Sequence, residues 1–213
     1  AGSLLIDYTL TVAVSVTAGI EAITSAVPQL YPFRVEMGLA AIALIAWANM
    51  RGVRESGLIF SVPTYAFVGV VFTLLVTGFT RYAIGDLTPP VHTEIVTSSH
   101  VLSLFLIMRA FASGCTALTG IEAISNGIPA FKSPESRNAG LTLIAMSALL
   151  VTMFLGITYL AKDLNIVPHI DETVVSQIGR AVFGSGFLYY LLQATTAMIL
   201  LLAGNTAFAD FPR

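Results

Sequence analysis

The sequence predicts an all-α integral membrane protein, and three observations lead to that class. The hydrophobic fraction is 56% and the charged fraction only 10%, whereas a soluble domain has roughly 25% charged residues. Most of the apolar runs are long enough to cross a bilayer as helices. No run has the alternation of apolar and polar residues, about ten residues long, that is typical of an outer-membrane barrel.

Six apolar runs are separated by proline, glycine and charged residues, and we interpret residues 1–213 as a single transmembrane domain. Five runs exceed 20 residues, about 30 Å as helix, which matches the hydrocarbon core. The second run is shorter and is compatible with a tilted span, a short span or a re-entrant segment; the lack of a turn signal favours a span. The approximate bounds are 4–27, 36–50, 58–79, 101–124, 141–161 and 181–204.

The two ends of the sequence predict that it is an internal fragment of a larger membrane protein. It begins without an initiator methionine, already inside an apolar run, and it stops shortly after another. We therefore expect residues outside it to contribute to any functional site.

Charge and cysteine content exclude several functions. The net charge is −2 and basic residues form no block, so we expect no nucleic acid partner. One cysteine excludes an internal disulfide bond. The absence of an Asn-X-Ser/Thr sequon favours a bacterial or archaeal protein over a glycosylated surface protein.

The basic residues in the loops predict the orientation. Six spans put both ends on one side, where five Lys and Arg residues lie, against four in the opposite loops. Because Lys and Arg favour the cytoplasmic side, we expect both ends in the cytoplasm, with the spans in the plasma membrane. The five residues are Arg51, Arg54, Lys132, Arg137 and Arg213.

The first run contains a stripe of side chains that carry oxygen. Asp7, Thr11 and Ser15 are four residues apart, so they follow one face of a helix. The stripe continues to Ala18 and Ala22, which would let a neighbouring helix approach closely. A carboxylate and two hydroxyls suit a cation or an ammonium group. The alternative is that the hydroxyls bond to carbonyls of their own helix and that Asp7 lies at the membrane edge.

Residues 114–129, at the end of the fourth run, combine a carboxylate with hydroxyls and glycines. Glu122 lies one helical turn after Thr119. A carboxylate at the bilayer centre costs about 2.5 kcal/mol or more, and glycines leave backbone carbonyls free to face a ligand. We predict a broken helix with a substrate or ion site at the break. The glycines assigned to the break are Gly114, Gly120 and Gly127.

A structural interpretation of Glu122 stays open. The carboxylate could lie in the last turn of its helix, at the cytoplasmic interface, where Lys132 or Arg137 would neutralise it.

Catalytic chemistry finds no support in the sequence. The histidines are scattered without metal-ligand spacing, the lone cysteine has no visible histidine partner, and no phosphate-binding loop occurs. We therefore expect neither an enzyme nor a bound cofactor.

Several strings resemble the amino acid–polyamine–organocation (APC) superfamily. They are residues 5–8, which open a span, residues 49–57 (Asn-Met-Arg-Gly-Val-Arg-Glu-Ser-Gly) and the charged loop 131–138. Residues 109–127 and 205–212 are more closely similar to the KimA-type potassium importers, which are related to the KUP potassium transporters. The resemblance covers nearly the whole chain.

The resemblance implies a LeuT-type inverted-repeat transporter fold, with this sequence covering helices three to eight and the broken helix as the sixth. It also implies cation ligands on the third and sixth helices, and further ligands on a first helix that is not in the sequence. For the full-length protein it implies a homodimer. By motif, the potassium ligands correspond to Asp7, Thr11, Ser15, Thr119 and Glu122.

Our main hypothesis is a secondary active transporter that imports potassium together with protons by alternating access. Because burial favours the protonated form of a carboxylate, Glu122 or Asp7 is the candidate for proton coupling. The alternative within the same fold is an amino acid or polyamine permease, with a substrate ammonium near Glu122. A passive cation channel or a structural membrane subunit is the alternative from another class. In each case the partners are membrane lipid and a small solute.

Overall fold

A computed structural model describes residues 2–51, 57–87, 103–115, 124 and 127–210. Every regular element among them is helical, which confirms the all-α class. The α-helices are α1 (Gly2–Ala26), α2 (Arg34–Met50), α3 (Gly57–Ile84), α4 (Leu104–Cys115), α5 (Glu135–Asp163), α6 (Val174–Phe183) and α7 (Phe187–Asp210). Two 3-10 helices, Pro28–Phe33 and Ile128–Ala130, join them.

Within these residues, five helical segments are long and apolar enough to cross a membrane. They correspond to five of the six predicted runs. The fourth run, 101–124, is described only in part, by α4, so its crossing stays a prediction. The segments are Leu5–Ala26, Pro28–Met50, Phe60–Ile84, Glu135–Asp163 and Phe187–Phe208.

The second of these segments is longer than the apolar run that predicts it. Pro28 opens the 3-10 helix, and the chain passes from Phe33 directly into α2. Together the two helices extend the 15-residue run to 23 residues, or about 34 Å if the rise were α-helical throughout. A segment of that length spans the hydrocarbon core without thinning it.

The chain divides into two compact units, Ala1–Val91 with Gly156–Arg213, and His92–Leu155. The first unit contains α1, α2, α3, α6, α7 and the last turns of α5. The second contains α4, the 3-10 helix Ile128–Ala130 and the greater part of α5. In the second unit, the loop before α5 is held by Asn138, whose Nδ2 donates to the carbonyl of Lys132 at 2.7 Å.

The antiparallel helices α1 and α7 form the centre of the first unit. A Cβ atom at Gly19 would lie 3.3 Å from the carbonyl oxygen of Ala197, and one at Gly204 would lie 3.3 Å from Val16 Cγ2. The two backbones therefore approach so closely that only small residues fit between them. The buried core on this interface consists of Val12, Val16, Ile20 and Ala207, against which residues of α2 pack.

The short helix α6 follows α5 in the chain and packs against α1, α3 and α7. Thr173 caps its N-terminus by accepting a hydrogen bond from the backbone N–H of Ser176 at 3.2 Å. Its last residue is Phe183, and the C-cap is Gly184, whose φ of 67° and ψ of −154° belong to a region that is essentially restricted to glycine. The sixth predicted run, 181–204, therefore begins inside α6, and the helix long enough to span begins at Phe187.

Helix α3 is attached to this arrangement at its C-terminal end. A Cβ atom at Gly78 would lie 2.8 Å from Leu160 Cδ1 and 3.4 Å from Val182 Cγ2, so α3 touches both α5 and α6 there. Arg81 donates to the carbonyl of Val182 at 2.6 Å and pairs with Asp86 at 3.1 Å. These contacts fix the end of α3 against the C-terminus of α6.

Candidate functional site

Asp7, Thr11 and Ser15 follow one face of α1, and we call these three residues the oxygen stripe. Asp7 is exposed in the second turn, whereas Thr11 and Ser15 are half-buried. A Cβ atom at Gly204 would lie 3.8 Å from Ser15 Cβ. The stripe therefore runs from an exposed carboxylate toward the contact between α1 and α7.

The hydroxyls of α1 fall into two groups. Thr9 and Thr17 each donate a hydrogen bond to the carbonyl four residues earlier, at 2.7 and 2.8 Å. Thr11 and Ser15 make no such bond to any residue that the structure describes. The structure therefore differs from the alternative interpretation of the sequence, in which Thr11 and Ser15 donate hydrogen bonds to carbonyls of α1.

The second half of the predicted site falls outside the described residues. Thr119, Glu122 and Gly120 belong to the segment 116–123, so their role stays a prediction from sequence. Two of the glycines assigned to the helix break are described. Gly114 is the penultimate residue of α4, and Gly127 precedes the 3-10 helix Ile128–Ala130 with a φ of −88°.

A second polar stripe, which was not predicted from the sequence, begins just before α6 and continues along it. Glu172, Ser176 and Arg180 have the same spacing of four residues as the oxygen stripe. Ser176 Oγ donates to Glu172 Oε1 at 2.7 Å, and Arg180 Nε donates to the same oxygen at 3.1 Å. This spacing is the signal from which the stripe could have been found.

Two further residues complete this cluster. The buried Tyr189 hydroxyl of α7 donates to the carbonyl of Ser25 on α1 at 3.0 Å, and it lies 2.8 Å from Ser176 Oγ. Arg180 Nη2 donates to the Tyr189 hydroxyl at 2.8 Å and to the Ser25 carbonyl at 3.2 Å. We call Ser25, Glu172, Ser176, Arg180 and Tyr189 the polar lock, because they join α1, α6 and α7.

The charge of Arg180 is stable within the polar lock. Burial on its own would lower the pKa of Arg180, but the hydrogen bond and the negative charge of Glu172 outweigh that effect and raise it above its ordinary value. The guanidinium also lies over the Tyr189 ring, 4.8 Å from its centroid. The polar lock therefore contains a permanent positive charge whose partner is a carboxylate.

A third polar contact joins α2 and α7. Asn49 Nδ2 donates to Asn205 Oδ1 at 2.8 Å and to the carbonyl of Ile45 at 2.9 Å. An interhelical amide bond of this kind stabilises membrane helices by about 0.6 kcal/mol on average. The two asparagines also line a cavity of about 430 Å³ between α2, α3 and α7.

Comparison with known proteins gives the family. The profile of the amino acid permease family matches residues 1–213, the whole chain. The potassium transporter KimA of Bacillus subtilis (strain 168) is 47% identical over 213 residues, which are 100% of this chain and 35% of that relative. The chain therefore spans about a third of the length of the curated relative.

The comparison confirms the resemblance to the APC superfamily and to the KimA-type potassium importers. It also agrees with the expectation of a transporter rather than an enzyme, because the matched family and the relative are both membrane transport proteins. Together with five helices able to span a bilayer, these matches show that the chain is part of a multi-pass membrane protein and belongs to the amino acid permease family of the APC superfamily.

Proposed function

We propose that the full-length protein is a secondary active transporter that imports potassium together with protons, and that α1 supplies part of its cation site. The observation that carries the proposal is the oxygen stripe: the hydroxyls of Thr11 and Ser15 have no partner among the described residues, and Asp7 lies on the same face. Potassium is bound in membrane proteins by several oxygen atoms that replace its hydration shell. The 47% identical relative is named as a potassium transporter, which supports the same ion.

The remaining ligands in this proposal are Thr119 and Glu122, which follow from the resemblance. The site would then contain a carboxylate from each of two helices, which is one negative charge more than a bound potassium ion balances. One of them, Glu122 or Asp7, would also take up the coupled proton, because burial without a cation favours the neutral acid. The other carboxylate would stay ionised and balance the charge of potassium, so that potassium and the proton bind together, as import of both requires.

The proposal places the protein in the plasma membrane of a bacterium or archaeon, with residues 2 and 213 on the cytoplasmic side. The excess of basic residues in the loops on that side supports this orientation. For the full-length protein we propose a homodimer. Labelling of single cysteines at positions 51 and 86 by a membrane-impermeant reagent in whole cells tests the orientation, which predicts labelling at position 86 only.

The function is tested by flux measurements on the full-length protein in proteoliposomes. We expect potassium uptake that increases when the outside is made acidic and that falls when a protonophore removes the gradient. Uptake that proceeds equally well without a proton gradient would contradict coupling and indicate a channel. Absence of potassium flux in protein that is folded and inserted would reject the cation assignment.

A second candidate substrate is an amino acid or polyamine, which the description of the matched family favours. The oxygen stripe would then bind the substrate ammonium instead of potassium, since both cations prefer carboxylate and hydroxyl oxygens. Uptake of labelled amino acids in the same proteoliposomes, and competition between them and potassium, separates the two substrates.

A further inference from the structure

The cavity between α2, α3 and α7 lies away from the oxygen stripe. Its volume is about 430 Å³, and its walls are almost entirely apolar. Ile45 and Leu201, which line it, also pack against the buried core of α1 and α7, so the core forms its back wall. Leu44, on its rim, is 63% exposed. The cavity is thus an apolar recess that opens at the surface of the first unit.

The polar groups of the recess are confined to one end. Asn49 and Asn205 lie in the last turns of α2 and α7, whereas the residues one or two turns away are Leu44, Met198 and Leu201. Because these two helices run in the same direction, their C-terminal ends share one side of the bundle. The recess therefore has the polarity of an amphiphile, with an apolar length and hydrogen-bonding groups at one end.

Positive charge lies at the same end. Arg51 follows α2 directly, and its guanidinium lies 4.5 Å from the centroid of the Trp47 ring. Among the residues that the structure describes, no carboxylate pairs with Arg51. Tryptophan and arginine at a helix end are typical of the membrane–water interface. The loop that follows contains Arg54 and Glu55, so residues 51–55 remain net positive.

The start of α3 adds to this positive end. Helix α3 begins at Gly57 without an acidic residue in its first turn, and Phe60 and Pro63 of its first two turns line the recess. The N-terminus of a helix carries about half a positive elementary charge and attracts anions. An anionic group at this rim would meet a guanidinium and a helix N-terminus.

We propose that the recess is a lipid site that binds an acyl chain of an anionic phospholipid, whose headgroup is held by Arg51. The apolar length buries the chain, the interfacial tryptophan and arginine set the depth of the headgroup, and the positive rim selects an anionic lipid. A covering helix from the rest of the full-length protein is the competing occupant. A purely apolar cover does not use the positive rim, which is why the structure favours the lipid.

The test is native mass spectrometry of the full-length protein after mild delipidation and exposure to phosphatidylglycerol or phosphatidylcholine. We expect phosphatidylglycerol to be retained about fivefold better, the preference that one basic residue near a bilayer surface provides. Leu44→Trp fills the rim and should abolish the retention. Leu39→Trp is its matched control, because Leu39 is also 63% exposed on α2 but does not line the recess.

Arg51→Gln keeps the recess open and removes only the charge. It should therefore retain lipid but lose the preference for phosphatidylglycerol. This variant keeps the proposal testable if the Leu44→Trp protein fails to fold. Equal retention by the Leu44→Trp and Leu39→Trp proteins, or an unchanged preference in Arg51→Gln, would overturn the proposal. Wild-type protein that retains neither lipid would assign the recess to a helix of the full-length protein.

Discussion

The oxygen stripe and the stripe of α6 have the same pattern in sequence and opposite environments in the structure. Asp7, Thr11 and Ser15 repeat every four residues, as do Glu172, Ser176 and Arg180. Glu172 lies just before α6, and Ser176 and Arg180 lie on it; all three side chains are bonded to one another or to α1 and α7. In α1, the two hydroxyls have no partner among the described residues.

The difference shows what separates a structural polar stripe from a candidate binding stripe. A polar group inside a membrane protein has no water to bond to, so an unused hydroxyl is costly unless a ligand or another part of the protein satisfies it. The polar lock avoids that cost with its own partners. The hydroxyls of Thr11 and Ser15 have no such partners among the described residues, which is why we propose a ligand for them.

The largest effect should come from the carboxylates. We expect Asp7→Asn and Glu122→Gln, each in the full-length protein, to reduce proton-driven potassium uptake to background, because the site loses either the charge that balances the cation or the group that takes up the proton. The measurement is potassium uptake into proteoliposomes with an inward proton gradient. Near-normal coupled uptake by Glu122→Gln would reject the role of Glu122 in the site. The same result for Asp7→Asn would favour the alternative in which Asp7 lies at the membrane edge and binds no cation.

A smaller effect is expected from the hydroxyls of α1, and they offer a matched comparison. Thr11→Val should weaken apparent potassium affinity about tenfold, the effect of losing one ligand worth about 1.4 kcal/mol. Thr9→Val and Thr17→Val should leave affinity unchanged, because those hydroxyls already bond to their own helix. Equal potassium affinities in the Thr11→Val and Thr9→Val proteins would show that a hydroxyl without a hydrogen-bond partner on α1 does not identify a cation ligand.

The polar lock should respond in stability and leave substrate affinity unchanged. Tyr189→Phe removes the bond to the Ser25 carbonyl and the acceptor of Arg180, and we expect a loss of about 1–2 kcal/mol in unfolding free energy. Thermal unfolding of the detergent-solubilised full-length protein measures it. An unchanged thermal unfolding midpoint together with weaker potassium affinity in Tyr189→Phe would contradict the structural role that we assign to the polar lock.

The smallest effect should be the coupling between Asn49 and Asn205. A double-mutant cycle with Asn49→Leu and Asn205→Leu should give about 0.6 kcal/mol, the average for interhelical hydrogen bonds in a membrane protein. The readout is again thermal unfolding. A coupling energy near zero would indicate that the pair lines the recess without joining α2 to α7.

Several elements of the fold were predictable because their signals are local. The long apolar runs predicted the helices, since about 20 apolar residues in a row have few other stable arrangements. The start of the second span was harder to predict, because Arg34 and Glu36 interrupt the hydropathy while the 3-10 helix before them continues the segment. The predicted start of the sixth run, residue 181, falls inside α6. Ala181 and Val182 are apolar like the span that follows, but they belong to a separate short helix.

The sequence by itself determined the membrane class, the spacing of both polar stripes and the oxygen chemistry of the candidate site, because hydropathy and the helical period are properties of neighbouring residues. Only the tertiary structure decided which stripe is satisfied. Arg180 and Tyr189 reach the carbonyl of Ser25 across 155 and 164 residues of chain, and no pattern within one helix encodes contacts over that distance. The partners of a polar group, more than its spacing, distinguish a scaffold contact from a candidate ligand.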